Sequence, residues 1–212
     1  MTLRERKKQR TRLALIDAAL DLFLAKGYDV TTIDEIVAAV DVSQRTFFRY
    51  FAAKEDVALG FMAEYDGIMV DTLAVRPAEE SPSTALYEAM RVVLHAIEEG
   101  DAEETARFRK LRQVIETTPA LVAGQMAQSG TTEKLLVKEI ARRQGTDPET
   151  DLRPQLLVAI HMAAVRVGFE DCARHDVFEP RAVVTRVEES VALALAALKD
   201  GWDAPGTAGG SR

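Results

Sequence analysis

Between Val42 and Glu55 the chain reads VSQRTFFRYFAAKE: four aromatic rings, two guanidinium groups and an amide within a dozen positions of a protein that is only 6% aromatic. Laid on a helix at about 100° per residue, residues 44 to 51 split into two sectors. Phe47, Tyr50 and Phe51 share one, suited to docking on neighbouring helices. Gln44, Arg45, Phe48 and Arg49 share the other. A guanidinium can pair bidentately with guanine, a glutamine amide can do the same with adenine, and an exposed ring can touch the thymine methyl. An arginine-bearing helix face is more often plain solvated surface. Phe48 argues against that reading, because an apolar ring among exposed charges has no structural reason unless something covers it. The chemistry on offer is base recognition rather than bond making. There is no G-x-S-x-G, no glycine loop followed by Lys and Ser or Thr, and no H-E-x-x-H, and Cys172 has no motif to activate its thiol. No enzyme is expected, and neither a metal nor a cofactor.

Short helices must hold that face in place. From Thr11 to Lys26 the residues Leu13, Ile16, Leu20, Phe23 and Leu24 form an apolar stripe that Gly27 should stop. Thr32-x-x-Glu35 has capping-box spacing at the start of a second helix, which ends at Asp41. Ser43 offers an N-cap for the third. A short helix, a tight turn and a second short helix behind a basic segment make a helix-turn-helix. Longer helices follow at about 54–74, 83–99, 103–117, 119–144, 151–174 and 179–200, with no convincing strand pattern.

The net charge of −7 would oppose a polyanionic partner if it were evenly spread. Residues 1–54 instead hold ten Lys and Arg against seven Asp and Glu, a net +3, which leaves −10 for the rest. Arg4, Arg6, Lys7, Lys8, Arg10 and Arg12 stand against Glu5 alone at the N-terminus. A basic arm on an acidic body suits contact with nucleic acid through one end, although a solvated basic terminus would look the same. The single cysteine cannot form an internal disulfide, which suits a reducing compartment. Asp17 and Asp21 interrupt any signal-peptide core, and no apolar run approaches the ~20 residues of a membrane span. A cytoplasmic location without membrane contact is expected.

ALIDAALDLFLAKGYDVTTIDEIVAAVDVSQRTFFRYFAAKEDV, residues 14 to 57, resembles the DNA-binding region of the tetracycline-repressor-like (TetR) transcriptional regulators. The order helix, Gly-Tyr, Thr-Thr, Ile-Asp-Glu-Ile, Val-Ser, Thr-Phe-Phe-Arg-Tyr-Phe, Lys-Glu carries the match. The resemblance implies that Thr32 and Ser43 cap their helices near phosphates. It also implies that Gln44, Arg45, Thr46 and Arg49 face the major groove, that Tyr50 reaches the backbone, and that Lys54 holds a phosphate. Asp41 stands where the family commonly has glycine, and aspartate tolerates a left-handed backbone. Phe48 replaces a frequent tyrosine, leaving only stacking or methyl contact there.

The same resemblance implies a small-molecule-binding domain closed by two C-terminal helices that form a four-helix bundle with a second subunit. Independently, Leu152, Leu156, Ile160, Ala163, Ala164 and Val167, and then Val184, Val187, Val191, Leu195 and Leu198, form stripes suited to a dimer seam or to packing within one chain. Phe61, Met62, Tyr65, Met69, Tyr87, Met90, Phe108 and Met126 could line a cavity, but such residues at helical spacing are more often core. His95 and His161 read as satisfied core or surface histidines. Arg107, Arg109, Lys110 and Arg112, following several carboxylates, read as a solvated ion-paired face. The expected protein is all-α. Residues 1–56 form a helix-turn-helix DNA-binding domain, residues 57–202 a larger ligand-binding and dimerisation domain, and residues 203–212 a loose tail. It would act as a homodimeric, ligand-responsive repressor on double-stranded operator DNA. The rival reading is a helical small-molecule carrier or protein-interaction module.

Overall fold

The computed structural model describes residues 2–200, with side chains described to residue 197, so Leu198 and the expected tail at 203–212 lie outside the described residues. Among them the chain is helical throughout: α1 (Leu3–Lys26), α2 (Ile33–Ala39), α3 (Gln44–Phe48), α4 (Asp56–Val75), α5 (Pro82–Glu98), α6 (Ala102–Thr117), α7 (Pro119–Gln144), α8 (Arg153–Arg174) and α9 (Pro180–Asp200).

Local chemistry sets most of these ends. Thr32 accepts from the Glu35 N–H while the Glu35 carboxylate accepts from the Thr32 N–H at 2.8 Å, the reciprocal box its spacing predicts. Ser43 Oγ accepts from the Thr46 N–H at 3.2 Å. Gly27 ends α1 at φ 98°, its N–H returning to the Phe23 carbonyl at 2.9 Å. Asp41 takes φ 54° in the turn between α2 and α3, the left-handed geometry anticipated for it.

Two boundaries differ from expectation. The basic N-terminal segment is helical, because Thr2 and Glu5 form a further capping box and start α1 at Leu3 rather than near Thr11. α3 stops at Phe48 instead of running to Phe51. Its last turn tightens through the Tyr50 N–H on the Phe47 carbonyl, and the Asp56 carboxylate then gathers the Ala52 and Ala53 N–H groups at 2.8 and 2.9 Å, turning the chain into α4.

Two apolar cores form. The first joins Leu15, Ile16, Leu20 and Phe23 of α1 to Ile36, Phe47, Phe51 and Val57, and reaches past residue 57 to Phe61, Leu111, Val114, Ile115 and Leu121. The second packs the later part of α4 with α5, α7, α8 and α9 and takes Phe108 from α6. α8 and α9 lie closest where Gly168 meets Val187: a Cβ on Gly168 would sit 2.8 Å from the Val187 Cα, so a larger residue cannot keep this crossing.

Candidate nucleic-acid interface

Phe47 is fully buried and braced by edge and tilted ring contacts with Phe48 and Phe51, at centroid distances of 5.5 and 5.3 Å. Burying that one ring is worth about 1.5–3 kcal/mol, which pins the short α3 against α1 and α2. The opposite sector faces outward. Gln44, Arg45 and Arg49 are exposed, Thr46 is half-buried, and Phe48 is 52% exposed. Arg45 has no hydrogen-bond or ion-pair partner among the described residues. The Gln44 amide donates to the Asp34 carboxylate on α2, which holds its direction. The Arg49 guanidinium stacks over the Tyr50 ring at 5.0 Å and donates to its hydroxyl at 3.2 Å.

The helical start of α1 enlarges this surface. Arg4, Lys7, Lys8 and Thr11, spaced i, i+3, i+4, i+7, line a concavity of about 470 Å³ together with Arg49 and Tyr50. Sequence reasoning grouped these basic residues only by charge. The Thr2-x-x-Glu5 spacing was the signal that they share a helix face. Four positive charges around one hollow suit a phosphate run.

Lys54 departs from its expected role. Its ammonium donates to the carbonyls of Tyr28 at 2.6 Å, Thr31 at 2.9 Å and Asp29 at 3.5 Å, and sits 4.1 Å from the Tyr28 ring centroid. All three of its donors are engaged within the chain, so it clasps the α1–α2 loop to the start of α4 instead of reaching outward. Burial and the Glu55 carboxylate push the Tyr28 hydroxyl up to about 12, so the ring beneath that ammonium stays uncharged.

The basic run on α6 is also placed otherwise than expected. Arg107 is 4% exposed and makes a two-pronged pair with Asp17 of α1 at 2.7 and 2.9 Å, and Lys110 pairs with Asp21. Arg112 is buried, pairs with Glu116 and lies 4.9 Å from the Phe169 ring centroid. The expected ion pairing is present and Arg109 is exposed, but Arg107 and Arg112 are buried, fastening α6 to α1 and α8.

The residues expected around a ligand gather only in part. Phe61 belongs to the first core, while Met69, Met90 and Phe108 belong to the second. Tyr65 is half-buried and packs on both cores, Tyr87 is half-buried on the second, and Met126 is 64% exposed on α7 and lines nothing internal. Helical period alone could not say which face of α7 turns inward. His95 is the surface histidine anticipated, beside Glu98 and Glu99. His161 is not the satisfied core histidine anticipated: it is buried, and neither ring nitrogen has a hydrogen-bond partner among the described residues. Among the described residues no group of three or more His, Cys, Asp or Glu is placed to hold a metal, and no helix is long and apolar enough to cross a membrane.

The C-terminal stripes divide. On α8, Leu152, Leu156, Ala163 and Val167 are exposed along one face with Ile160 half-buried, whereas Ala164 turns inward. Val184, Val187 and Val191 of α9 are buried within this chain and Leu195 is packed against its core, so α9 uses internally much of what could have been seam.

Known proteins share this architecture. Residues 15–60 match the family model described as bacterial regulatory proteins, tetR family, and residues 84–199 match the MftR C-terminal domain. The transcriptional regulator TcmR of Streptomyces glaucescens is 43% identical over 167 residues, covering 78% of this chain and 74% of TcmR. The mycofactocin biosynthesis transcriptional regulator MftR of Mycobacterium tuberculosis is 30% identical over 81% of this chain and 84% of its own length. Among solved structures, NalD of Pseudomonas aeruginosa shares the fold with a TM-score of 0.58 at 16% identity, over 90% of this chain and 96% of NalD. A TetR-family regulator from Syntrophomonas wolfei does so at 0.57 and 17%, over 88% and 96%. With an outward polar recognition face, two family models along its length and relatives that are named regulators rather than enzymes, this chain belongs to the TetR family of DNA-binding transcriptional regulators.

Proposed function

We propose that the chain is a cytoplasmic, ligand-responsive repressor that binds a twofold-symmetric operator as a homodimer. Residues 1–56 read DNA, and residues 57–202 sense a small molecule and pair the subunits. The observation that carries the reading is the outward sector of Gln44, Arg45, Phe48 and Arg49, held rigid from behind by buried Phe47 and continuous with the basic hollow of α1. Arg45 and Gln44 approach base edges. Thr46, Arg49, Tyr50 and the α1 cations hold phosphates, with the Thr32 and Ser43 caps near the backbone.

The exposed α8 stripe supports the dimer, since a row of Leu152, Leu156, Ile160, Ala163 and Val167 along one helix is the kind of apolar patch a partner covers. Two recognition helices must lie near one helical turn apart, ~34 Å, to enter successive major grooves. Ligand binding in the larger unit would alter that spacing through α6, which the Arg107–Asp17 pair ties to α1. Such coupling works only as far as the ligand binds the two arrangements unequally, commonly by ~1–3 kcal/mol.

Selection of bound duplexes from a random pool tests the reading, with an inverted repeat expected. A recovered site lacking twofold repetition would sink the symmetric mode, and no sequence preference at any salt would favour a carrier or interaction module. Leu156→Asp places a charge on the α8 seam and should give monomers with little operator affinity. Sedimentation showing an unchanged dimer would remove that seam. Ala164 is unsuited to the same test because it packs inside its own chain.

A further inference from the structure

His161 occupies the inward stripe of α8, three residues after Val158 and three before Ala164, both part of the second core. It is 1% exposed, and both of its ring nitrogens lack a hydrogen-bond partner among the described residues. A buried polar atom left unpaired is costly, and folded proteins keep few of them without a use. Gln155 Oε1, earlier on α8, also lacks a partner among the described residues, but other polar groups packed against this core are answered. Thr132 donates to Asp66 at 3.1 Å, and Ser190 donates to the Ala164 carbonyl at 2.8 Å. The core holding His161 also contains Met69 and Met90, whose unbranched side chains can rearrange around an entering molecule.

We propose that His161 is the polar anchor of the effector site, and that the effector is an uncharged, mostly apolar molecule carrying a hydroxyl or phenol group. The proposal rests on the reading of residues 57–202 as a sensor. A neutral imidazole offers one N–H donor and one bare acceptor nitrogen, and a hydroxyl can answer either. Burial holds the ring uncharged, with its pKa lowered to about 4. Among the described residues the two buried guanidiniums are already paired, Arg107 with Asp17 and Arg112 with Glu116, which disfavours a carboxylate or phosphate ligand. Asp66, the half-buried carboxylate between α4 and α7, is oriented by the Gln128 and Thr132 donors, and the neutral imidazole itself supplies no counter-charge for a cationic ligand.

Three probes of matched size separate these classes: 2-naphthol, naphthalene and 2-naphthoate, titrated into the full-length protein. The wild type should bind 2-naphthol about tenfold more tightly than naphthalene, the worth of one buried hydrogen bond, and should bind 2-naphthoate most weakly. His161→Phe should bring the first ratio to about one, and His161→Gln should restore part of it. Nitrogen NMR of the wild-type protein supplies a readout that needs no variant. The His161 ring resonances should move when 2-naphthol is added, while those of exposed His95 and His175 stay in place. A preference that survives in His161→Phe, tighter binding of 2-naphthoate, unmoved His161 resonances, or no binding of any probe would overturn the proposal. Operator binding is measured on the same samples: if it persists while the probe results fail, this inference alone falls, whereas its absence in the wild type takes the functional reading as well.

Discussion

Around the recognition helix each cap finds its partner a few residues away: Thr32 with Glu35, Ser43 with Thr46, Asp56 with the Ala52 and Ala53 amides. Lys54 closes the same unit with three carbonyls. In the second core Thr132 is answered across helices by Asp66, while both ring nitrogens of His161 are left open among the described residues. The first region presents one fixed surface whose caps are closed by its own residues. The second leaves an imidazole unanswered in a core that also holds unbranched methionines, the arrangement from which the effector site is proposed.

The sharpest way to break that contrast is Phe47→Ala. Removing a fully buried ring from the small first core should cost about 3–5 kcal/mol, unfold the N-terminal unit and abolish operator binding. Urea denaturation followed by helicity measures it, and a loss under 1 kcal/mol would mean that α3 is not braced as described.

On the sensor side, His161 makes stability depend on pH. Its folded pKa, about 4, lies below the unfolded value near 6.5, so the unfolded chain takes up the proton first. The group is neutral in both states above pH 6.5, stability falls as pH drops from about 6.5 to 4, and the loss reaches on the order of 3 kcal/mol before levelling off. His161→Phe should remove that component. Parallel wild-type and variant curves through this window would show that the ring is not confined in a dry core.

Arg45→Ala and Lys54→Met sharpen the division of labour within the first region. Arg45 is exposed and unpaired among the described residues, so its loss should cost ~1–3 kcal/mol on the selected site and relax preference at one base position, with folding unchanged. Lys54→Met should instead lower stability by ~1–2 kcal/mol, because three carbonyls lose their donor, while the salt dependence of DNA binding stays the same. A salt slope smaller by about one would return Lys54 to the phosphates. The smallest effect is that of Thr32→Ala, about 1 kcal/mol for a lost N-cap, read from the melting temperature.

Much of this protein follows from rules that operate within one helical turn. Thr32 and Glu35, Ser43, Gly27, Asp41, and Pro82, Pro119 and Pro180 in the first turns of their helices set element ends, since caps, stops and left-handed turns need only near neighbours. The two sectors of residues 44–51 follow from the same period, because apolar rings and polar groups were already segregated. Even the helical start of α1 was legible in Thr2 and Glu5, although charge drew the reading toward a loose arm.

The rest was decided by which faces meet. α8 is apolar on both sides, so no pattern along it could tell that Leu156 and Val167 look outward while His161 and Ala164 look in. Lys54 and the carbonyls of residues 28–31 stand more than twenty positions apart, and Arg107 and Asp17 stand ninety apart. Helical periodicity assigns residues to faces. Only packing assigns a face to a neighbour, and with it the difference between a solvated charge and a clasp, or between a satisfied histidine and an unpaired one.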